Sequence, residues 1–598
     1  MVYILILWGY AFGLLFLYGH FTWQGVKAGF QIDTDLPVVL KTLLGFVPLT
    51  AGALVWNYFY RVGSLVNAVM VLGALMGAIL MRHSIGQAVK IGWATLKSTP
   101  WWITGLIAMM LFVVVYRAAY FMYTPDTGLY HAQAVRWAEE YAVVPGLGNL
   151  HGRLATNSSW FITAALLGYS TLSVGLQMFF RVTGGAPFAV ELQALLFPFH
   201  PVNSLLIGLM IFHGFSAMGD WVKGARGYGV FLRIVAAVAA FYLYLDDFAA
   251  PNPDVPAALF LWLTILSFTY WIERKHAGDL DENALLVMFF GVFAVTVKLS
   301  ALPVLILPLY LVVHRWRKGW LWLSAGLLVL FFLPWLGRYY VLSGYLVFPL
   351  EKIDLFNPDW KMGMDAVQDI REWILSWGRI PVLDKDDVLA MPLTTWVPIW
   401  WGNLRIYVRV LLYLSLGASA FAAVRLFLDA RANRLAVVGR ASWGALMVAL
   451  WCGMAYWFFS APDPRFVMGF LLPLLGVMLL YVAGAVRETG WFGWVVIALA
   501  AGVAGLWGLK TTSSVWQRRG EHSAEQRFIA PIGYVSGRVE GFVRDDVVAH
   551  EINGYTVFLP REGEDCWYAP LPCVVNLKEA VYLRGDTLQE GFRLNPKP

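Results

Sequence analysis

Long apolar segments alternate with short polar segments over most of the chain. Runs of about 18 to 22 apolar residues are the units to count, because roughly 20 helical residues span the hydrocarbon core of a bilayer. We count about fourteen such runs, which predicts an all-α polytopic membrane protein. The predicted spans are 2–20, 38–56, 62–81, 101–123, 201–219, 229–245, 256–272, 284–297, 301–313, 320–337, 404–428, 442–459, 466–485 and 491–509.

Segment 160–180 is apolar enough to span, but counting it as a crossing would invert every later loop. We interpret it as an interfacial or re-entrant helix of the preceding outward loop. A second interpretation pairs it with 187–199 as a short helical hairpin, which leaves the later loops on the same side. The sequence does not choose between the two.

Basic residues orient the predicted spans, because Lys and Arg accumulate in short cytoplasmic loops. The predicted inside segments carry Arg82, Lys90, Lys97, Lys223, Arg226, Arg274, Lys275, Arg315, Arg317, Lys318, Arg425, Arg431, Arg434 and Arg440. This orientation places loops 124–200 and 339–400 outside the membrane. We therefore predict a transmembrane domain over 1–509 and an outward C-terminal domain over 510–598.

The composition agrees with a membrane protein and excludes several other classes. The 598 residues are 59% hydrophobic and 14% charged, whereas soluble domains are about 25% charged. The net charge of +6 is spread over short loops, so it concerns topology and not nucleic acid. No His or Cys spacing is of the zinc type, and Asp384, Asp386 and Asp387 are typical of a solvated acidic turn. We assign no cofactor or metal; a divalent metal stays open, without support from the residues.

Two outward segments have patterns of their own. Over 365–377, apolar residues recur at helical spacing, which indicates an amphipathic helix that lies on the membrane or packs on its own domain. The C-terminal tail has short alternating runs broken by Gly and Pro, which predict a small α+β or β-rich domain. Its closely spaced Cys566 and Cys573 favour a disulfide in an oxidising compartment, whereas Cys452 lies in an apolar run.

Asp126 opens a dense run of polar residues directly after the predicted span 101–123. A carboxylate at a membrane boundary can serve as a general base for a polar acceptor. The alternative is a turn residue after Pro125, a common role for Asp. We interpret Glu139 and Glu140 as a solvated helix face. The candidate acceptor-binding residues in the same loop are Tyr130, His131, Gln133, Arg153 and Asn157.

Three cations lie beside apolar spans on the predicted outer side: Lys298, Arg338 and Arg465. Cations at such positions are costly and are functional candidates. Together they could bind the phosphate of a lipid-linked donor, whose departure builds negative charge that fixed donors stabilise. The alternative is that each side chain extends to the headgroup region.

These residues resemble the GT-C superfamily of integral-membrane glycosyltransferases. The resemblance rests on Asp126 after a membrane helix, on the stretch 296–301 (TVKLSA) and on 464–466 (PRF) followed by Pro473. The chain also resembles a family of large, poorly characterised bacterial membrane proteins with the stretch 146–151 (GLGNLH) and a paired-Cys tail. Many superfamily members have Asp-Glu where this chain has Asp126-Thr127, and three extra spans precede the catalytic helix here.

The resemblance implies a glycosyltransferase of the bacterial inner membrane with its site and C-terminal domain in the periplasm. It implies inverting transfer from a polyprenyl-phosphate-linked sugar to a glycan, lipid or protein, with Asp126 as general base. One competing hypothesis is a lipid-linked oligosaccharide flippase or other transporter, which would line a crossing path with repeats. Another is an O-antigen polymerase or ligase, which shares the donor class but is built around arginines in a large loop.

Overall fold

The computed structural model is predominantly helical. It describes residues 1–119, 124–168, 199–243, 247–274, 281–314, 318–381, 383–431, 437–517, 547–578 and 580–595. The helices are α1 (Val2–Phe30), α2 (Val38–Trp56), α3 (Ser64–Leu80), α4 (Arg82–Ser98), α5 (Trp101–Ala118), α6 (Ala132–Glu140), α7 (Leu147–Leu150), α8 (Ser159–Leu167), α9 (Val202–Val222), α10 (Tyr228–Leu243), α11 (Asp254–Glu273), α12 (Glu282–Val297), α13 (Ile306–His314), α14 (Lys318–Leu327), α15 (Leu333–Ser343), α16 (Met364–Arg379), α17 (Lys385–Ala390), α18 (Leu393–Asn403), α19 (Ile406–Arg431), α20 (Val437–Ser460), α21 (Pro464–Ala483) and α22 (Gly490–Gln517).

Tighter and wider helical turns join several of these helices. The π-helical turns are Thr127–His131 and Leu328–Phe332. The 3₁₀ turns are Gly152–Ala155, Leu299–Leu305, Gly484–Glu488 and Leu588–Glu590.

The chain is a multi-pass membrane protein. Within the described ranges, ten helices are long and apolar enough to cross a bilayer, or eleven if α3 and α4 together form one bent span. All ten coincide with predicted spans. Three other predicted spans fall on shorter apolar helices, Tyr228–Phe241, Glu282–Val297 and Leu299–Val313. The predicted number of about fourteen is therefore reduced to ten or eleven, because hydropathy alone does not measure helix length.

Helix α4 corrects one predicted loop. The segment with Arg82, Lys90 and Lys97 is helical and bends by 89° from α3. Only Ala88 of this helix is buried, so its basic side chains lie on the surface of the protein.

Close backbone contact holds α1 and α2 together. A Cβ atom at Gly19 would lie 1.7 Å from the carbonyl oxygen of Lys41, and one at Gly45 would lie 1.9 Å from that of Leu15. Small residues allow such approach between membrane helices, where packing replaces the hydrophobic effect as the main attraction. This pair packs against α8 and α9, next to the outward loop.

The first outward loop folds against the helices. It contains the turn Thr127–His131, α6, α7, the turn Gly152–Ala155 and α8. Every residue of α8 is buried, so the described part of predicted segment 160–180 has no exposed face. The rest of that segment, and most of 187–199, lie outside the described residues, so both interpretations stay open.

The second outward loop carries the predicted amphipathic helix, α16. Val367 is fully buried, whereas Trp373, Ile374 and Trp377 are exposed. Helix α16 also meets the turn before α21, since a Cβ atom at Gly378 would lie 2.9 Å from the Pro462 nitrogen. One side of the helix therefore packs on the protein, and its tryptophans remain outside.

The C-terminal part is a small β-hairpin region that holds a disulfide. Strands β1 (Val547–Ile552) and β2 (Tyr555–Pro560) form an antiparallel hairpin, and β3 (Tyr582–Leu583) pairs with β4 (Phe592–Arg593). The predicted Cys566–Cys573 disulfide is present, with an S–S distance of 2.05 Å. Helix α22 continues to Gln517, past the predicted boundary at 509. A disulfide is consistent with a non-cytoplasmic side for this region.

Candidate active site

Asp126 accepts hydrogen bonds from two guanidinium groups, one on each carboxylate oxygen. Arg153 donates from Nη1 to Oδ1 at 3.1 Å, and Arg465 donates from Nη1 to Oδ2 at 3.2 Å. Arg153 follows α7 in the same outward loop as Asp126. Arg465 lies in the first turn of α21, 339 residues after Asp126. The fold thus brings together three residues that the sequence predicted for one site.

The Asp126 side chain is ionised and reachable. Burial raises the pKa of its carboxyl, but the interaction with His131 when its ring is protonated, together with the positive charges of Arg465, Arg153 and Lys298, outweighs burial and holds the pKa below its ordinary value. The side chain keeps 25% of its surface exposed, and those of Arg153 and Arg465 keep 43% and 44%. The three groups therefore form an open charged surface at neutral pH.

A second ion pair adjoins the first. The Lys298 ammonium donates to the Asp254 carboxylate and lies 3.6 Å from the centre of the Phe466 ring. Asp254 is in the first turn of α11, and Lys298 follows the last residue of α12. Lys298 is therefore fixed between a carboxylate and an aromatic face beside the start of α21.

A close helix crossing explains how Arg465 comes near this pair. A Cβ atom at Gly469 would lie 3.0 Å from the Ala258 Cα atom, so α21 and α11 touch at their backbones. Residues four positions apart share a helix face. Arg465 and Asp254 each lie four residues before the contact. Both therefore lie one helical turn from it, at the N-terminal ends of α21 and α11.

These helix ends enclose a small cavity. Its polar lining comes from Asp254, Lys298, Ser300 and Arg465. Its remaining lining is apolar and comes from Ala257, Ala258, Leu261, Ala301, Phe466, Gly469 and Phe470. Two cations and the Asp254 carboxylate therefore lie beside an apolar wall at the ends of membrane helices.

A hydrogen-bonded loop supports Asp254 from behind. Thr124 and Asn252 both donate to Asp247 Oδ1, at 2.8 and 3.0 Å, and the Asp254 amide donates to Asn252 Oδ1 at 2.8 Å. Burial raises the pKa of Asp247 to about 6. This loop ties the residue just before Pro125 to the start of α11, so it connects the Asp126 turn to the Lys298 pair.

Tyr130 and His131 lie behind the arginines. The Arg153 guanidinium lies 5.7 Å from the centre of the Tyr130 ring. His131 is almost fully buried against Tyr130 and Phe161. Burial lowers the His131 pKa to about 4, so its imidazole is neutral at pH 7. The contacts indicate that Tyr130 supports Arg153, and they leave His131 little access to a substrate.

Three other predicted site residues lie away from the cavity, and two of them, Gln133 and Asn157, are held there by hydrogen bonds. The Gln133 amide nitrogen donates to the carbonyls of Trp567 and Ala569, at 3.1 and 2.9 Å. The Asn157 amide nitrogen donates to the Trp335 carbonyl at 2.6 Å. Arg338 is buried within α15 and does not line the cavity, and its Nε and Nη1 atoms have no hydrogen-bond partner among the residues that the structure describes. Their predicted substrate contacts stay predictions.

The interpretation of Glu139 as a solvated residue is wrong. Its side chain is 5% exposed and accepts hydrogen bonds from His200 at 3.0 Å and from Tyr568. Glu140 is exposed, as expected, and pairs with Arg136. Glu139 is covered by the C-terminal region, which no local pattern around residue 139 could reveal.

Asp254 is a site residue that the sequence reasoning missed. It follows Pro253 and begins an apolar run, so it carries the same signal as Asp126: an acid at the edge of a membrane helix. Asp247 carries a similar signal, because the pair Asp246-Asp247 directly follows the predicted span 229–245. Within the part of the chain that the structure describes, no group of three or more His, Cys, Asp or Glu side chains could hold a metal ion.

A family model matches residues 1–185 and 186–472, which together make up most of the chain. The chain belongs to the family described as Domain of unknown function (DUF8201). Asp126, Asp254, Lys298 and Arg465 lie within the matched residues of DUF8201, and the disulfide lies beyond them. The chain matches no curated protein and no solved structure. Since the family description names no reaction, the chemistry has to be argued from the site itself.

Proposed function

We propose that this protein is a membrane glycosyltransferase. It transfers a sugar from a polyprenyl-phosphate-linked donor to an acceptor on the outer, periplasmic side of the bacterial inner membrane. The observation that carries the proposal is the position of Arg465, which pairs with Asp126 at 3.2 Å and also lines the cavity with Lys298. One side chain thereby connects a candidate base with a candidate phosphate site.

A lipid-phosphate donor needs cations for its phosphate and an apolar surface for its hydrocarbon chain, and both kinds of group line the cavity. Arg465 and Lys298 would bind the phosphate oxygens, since charge-assisted hydrogen bonds from cations to phosphate are the stronger ones. In the structure, the Arg465 guanidinium donates hydrogen bonds to Asp126 and Asp463. The apolar wall below them, which includes Leu261 and Phe470, would receive the first part of the hydrocarbon chain.

Asp126 would act as general base. The acceptor hydroxyl oxygen attacks the anomeric carbon, its proton passes to the Asp126 carboxylate, and the bond from that carbon to the phosphate oxygen breaks. The electron pair of the broken bond stays on the phosphate, where Arg465 and Lys298 would stabilise it. Direct attack of the hydroxyl opposite the departing phosphate would invert the configuration of the anomeric carbon.

Donor consumption by the purified protein in lipid nanodiscs tests the proposal. A panel of polyprenyl-phosphate sugars is offered together with the same sugars as nucleotide conjugates. We expect one or more lipid-linked donors to be consumed and the nucleotide conjugates to persist. Consumption of nucleotide conjugates alone, or of no donor in the presence of cell-envelope acceptors, would contradict the proposal.

A further inference from the structure

We infer that the disulfide-closed segment 565–573, here named the clasp, is a positioning element of the Asp126 site. The clasp holds the turn and helix that follow Asp126, mainly through Trp567 and Tyr568. Its structural side stands on contacts alone, and only its effect on turnover rests on the proposed function.

The first contact is made at the turn Thr127–His131. The Trp567 amide donates to the Gly128 carbonyl at 2.8 Å. A Cβ atom at residue 128 would lie 2.7 Å from Asp565 Oδ1 and 2.8 Å from the Trp567 ring. The clasp therefore lies directly on the backbone two residues after Asp126, at a distance that a residue without a side chain permits.

The second set of contacts runs along α6. Gln133 donates to two clasp carbonyls, those of Trp567 and Ala569. One turn later, Arg136 donates from Nη1 to the Tyr568 carbonyl at 2.6 Å, and its guanidinium lies 4.8 Å from the Tyr568 ring centre. Side chains from two consecutive turns of α6 thus donate hydrogen bonds to the three consecutive backbone carbonyls 567–569 of the clasp.

The third contact is buried. The Tyr568 hydroxyl donates to Glu139, whose other oxygen pairs with His200 at 3.0 Å. Burial, together with the negative charge of Glu139, raises the pKa of the Tyr568 hydroxyl, so it stays protonated and remains a donor. The Tyr568 bond fixes the end of α6 to the clasp, and the His200 pair joins it to the residues just before α9.

The disulfide and the hairpin keep the clasp in shape. Cys566 and Cys573 are both buried. The Phe558 amide donates to the Pro572 carbonyl at 2.9 Å, and the Val574 amide donates to the Phe558 carbonyl at 3.0 Å. One end of the clasp is therefore joined to β2, and the disulfide joins its other end to the first. A cross-link of this kind restricts the conformations of the segment and presents the carbonyls that α6 needs.

The site consequence follows from the direction of the contacts. The clasp contacts the Asp126 turn and α6, and none of its residues line the cavity with Lys298 and Arg465. Loosening the clasp should therefore displace the base and leave the donor cavity in place. Trp567 and Tyr568 are positioning residues, since Trp567 contacts the turn Thr127–His131 and Tyr568 contacts α6.

Hydrogen exchange on the full-length protein in nanodiscs tests the structural side. We compare the parent with Tyr568→Ala, Tyr568→Phe and the double variant Cys566→Ser/Cys573→Ser, and use Tyr582→Ala in β3 as the matched control. We expect at least tenfold faster exchange of amides 128–140 in Tyr568→Ala and in the double Ser variant. Exchange in α1 and α2 should not change, and Tyr582→Ala should match the parent. Parent-like exchange of 128–140 in both test variants would overturn the inference.

Turnover of the donor found for the parent tests the positioning side. Tyr568→Ala should lower kcat at least tenfold with little change in the donor KM, and Tyr568→Phe, which keeps the ring over Arg136, should recover part of the loss. A rise in KM with unchanged kcat would overturn the positioning role. If the parent consumes no donor, the proposed function fails, and the exchange result alone decides the inference.

Discussion

Asp126 and Glu139 belong to the same loop, yet the charged centre around Asp126 and the covered cluster around Glu139 differ in their exposure. The charged centre comprises Asp126, Arg153 and Arg465, whose side chains keep between 25% and 44% of their surface exposed. The covered cluster comprises Glu139, His200 and Tyr568, with Glu139 and His200 at 5% and 0% side-chain exposure. Both contain a carboxylate with two hydrogen-bonding partners.

The difference shows that hydrogen-bonding partners alone do not identify a carboxylate as reactive. Glu139 uses one oxygen on Tyr568 of the C-terminal region and the other on His200, and little of its side chain can meet a substrate. Asp126 uses its oxygens on cations that a phosphate could also bind, and part of it remains open. The two carboxylates differ in whether a substrate can reach them and in whether their partners could bind a phosphate instead. Both properties come from the tertiary structure.

Replacing Asp126 should have the largest effect. Asp126→Asn keeps the size of the side chain and removes the base, so turnover of the donor should fall by at least about a hundredfold while the protein stays folded. The rate is measured in nanodiscs, and the fold is checked by size exclusion and melting temperature. Asp386→Asn, an exposed acid of the second outward loop, is the control and should keep the parent rate.

Glu139→Gln is the matched replacement in the covered cluster. The Gln carbonyl can still accept from Tyr568, so we expect turnover within a few-fold of the parent. A folded Glu139→Gln variant that loses turnover as fully as Asp126→Asn would break the comparison. In that case the covered carboxylate would have to be part of the reaction.

The two arginines should separate donor binding from catalysis. Arg465→Ala removes a cation of the cavity, and loss of a hydrogen bond to a charged group costs about 1.5 to 3 kcal/mol. We therefore expect the donor KM to rise by about ten- to a hundredfold. Arg153→Ala touches only the Asp126 side and should lower kcat more than it raises KM. Arg584→Ala, whose partner Asp359 lies on the surface, serves as the control. Equal effects of the Arg465 and Arg153 variants on KM would contradict the division.

The smallest effect concerns Asp247 and the pH dependence of stability. Its pKa is raised by burial to about 6, so the protonated form favours the folded state at low pH. That contribution, about 3 kcal/mol, is lost as the pH rises from the ordinary value towards 6. Asp247→Asn does not ionise, although it loses charge-assisted bonds from Thr124 and Asn252. We expect a net gain of about 1 kcal/mol at pH 7.5.

Melting temperatures of parent and Asp247→Asn in detergent, at pH 5 and pH 7.5, check this. The variant should lose less stability than the parent between the two pH values. An identical pH dependence in both proteins would show that Asp247 does not titrate with folding in this range.

Long apolar runs made the helical membrane part predictable, because the bilayer imposes a length and a composition on each span. The same approach found Asp126, Lys298 and Arg465, since charge at a membrane edge is costly and therefore conspicuous. It assigned Gln133 to acceptor binding and Glu139 to a solvated face, and it could not foresee their partners, which are Trp567, Ala569 and Tyr568. Polar residues in an outward loop look alike until the distant segment that covers them is in place.

The distance between these partners in sequence also has a consequence for biosynthesis. Gln133 and Trp567 are 434 residues apart, and ribosomes add about 5 to 20 residues per second. The Asp126 turn is therefore made roughly 20 to 90 seconds before the segment that fixes it. The disulfide of that segment forms only in an oxidising compartment. A chain that ends before Cys573 would lack the disulfide and the contacts that the clasp makes with the Asp126 turn, so this part of the fold is completed only after the transmembrane helices have been synthesised.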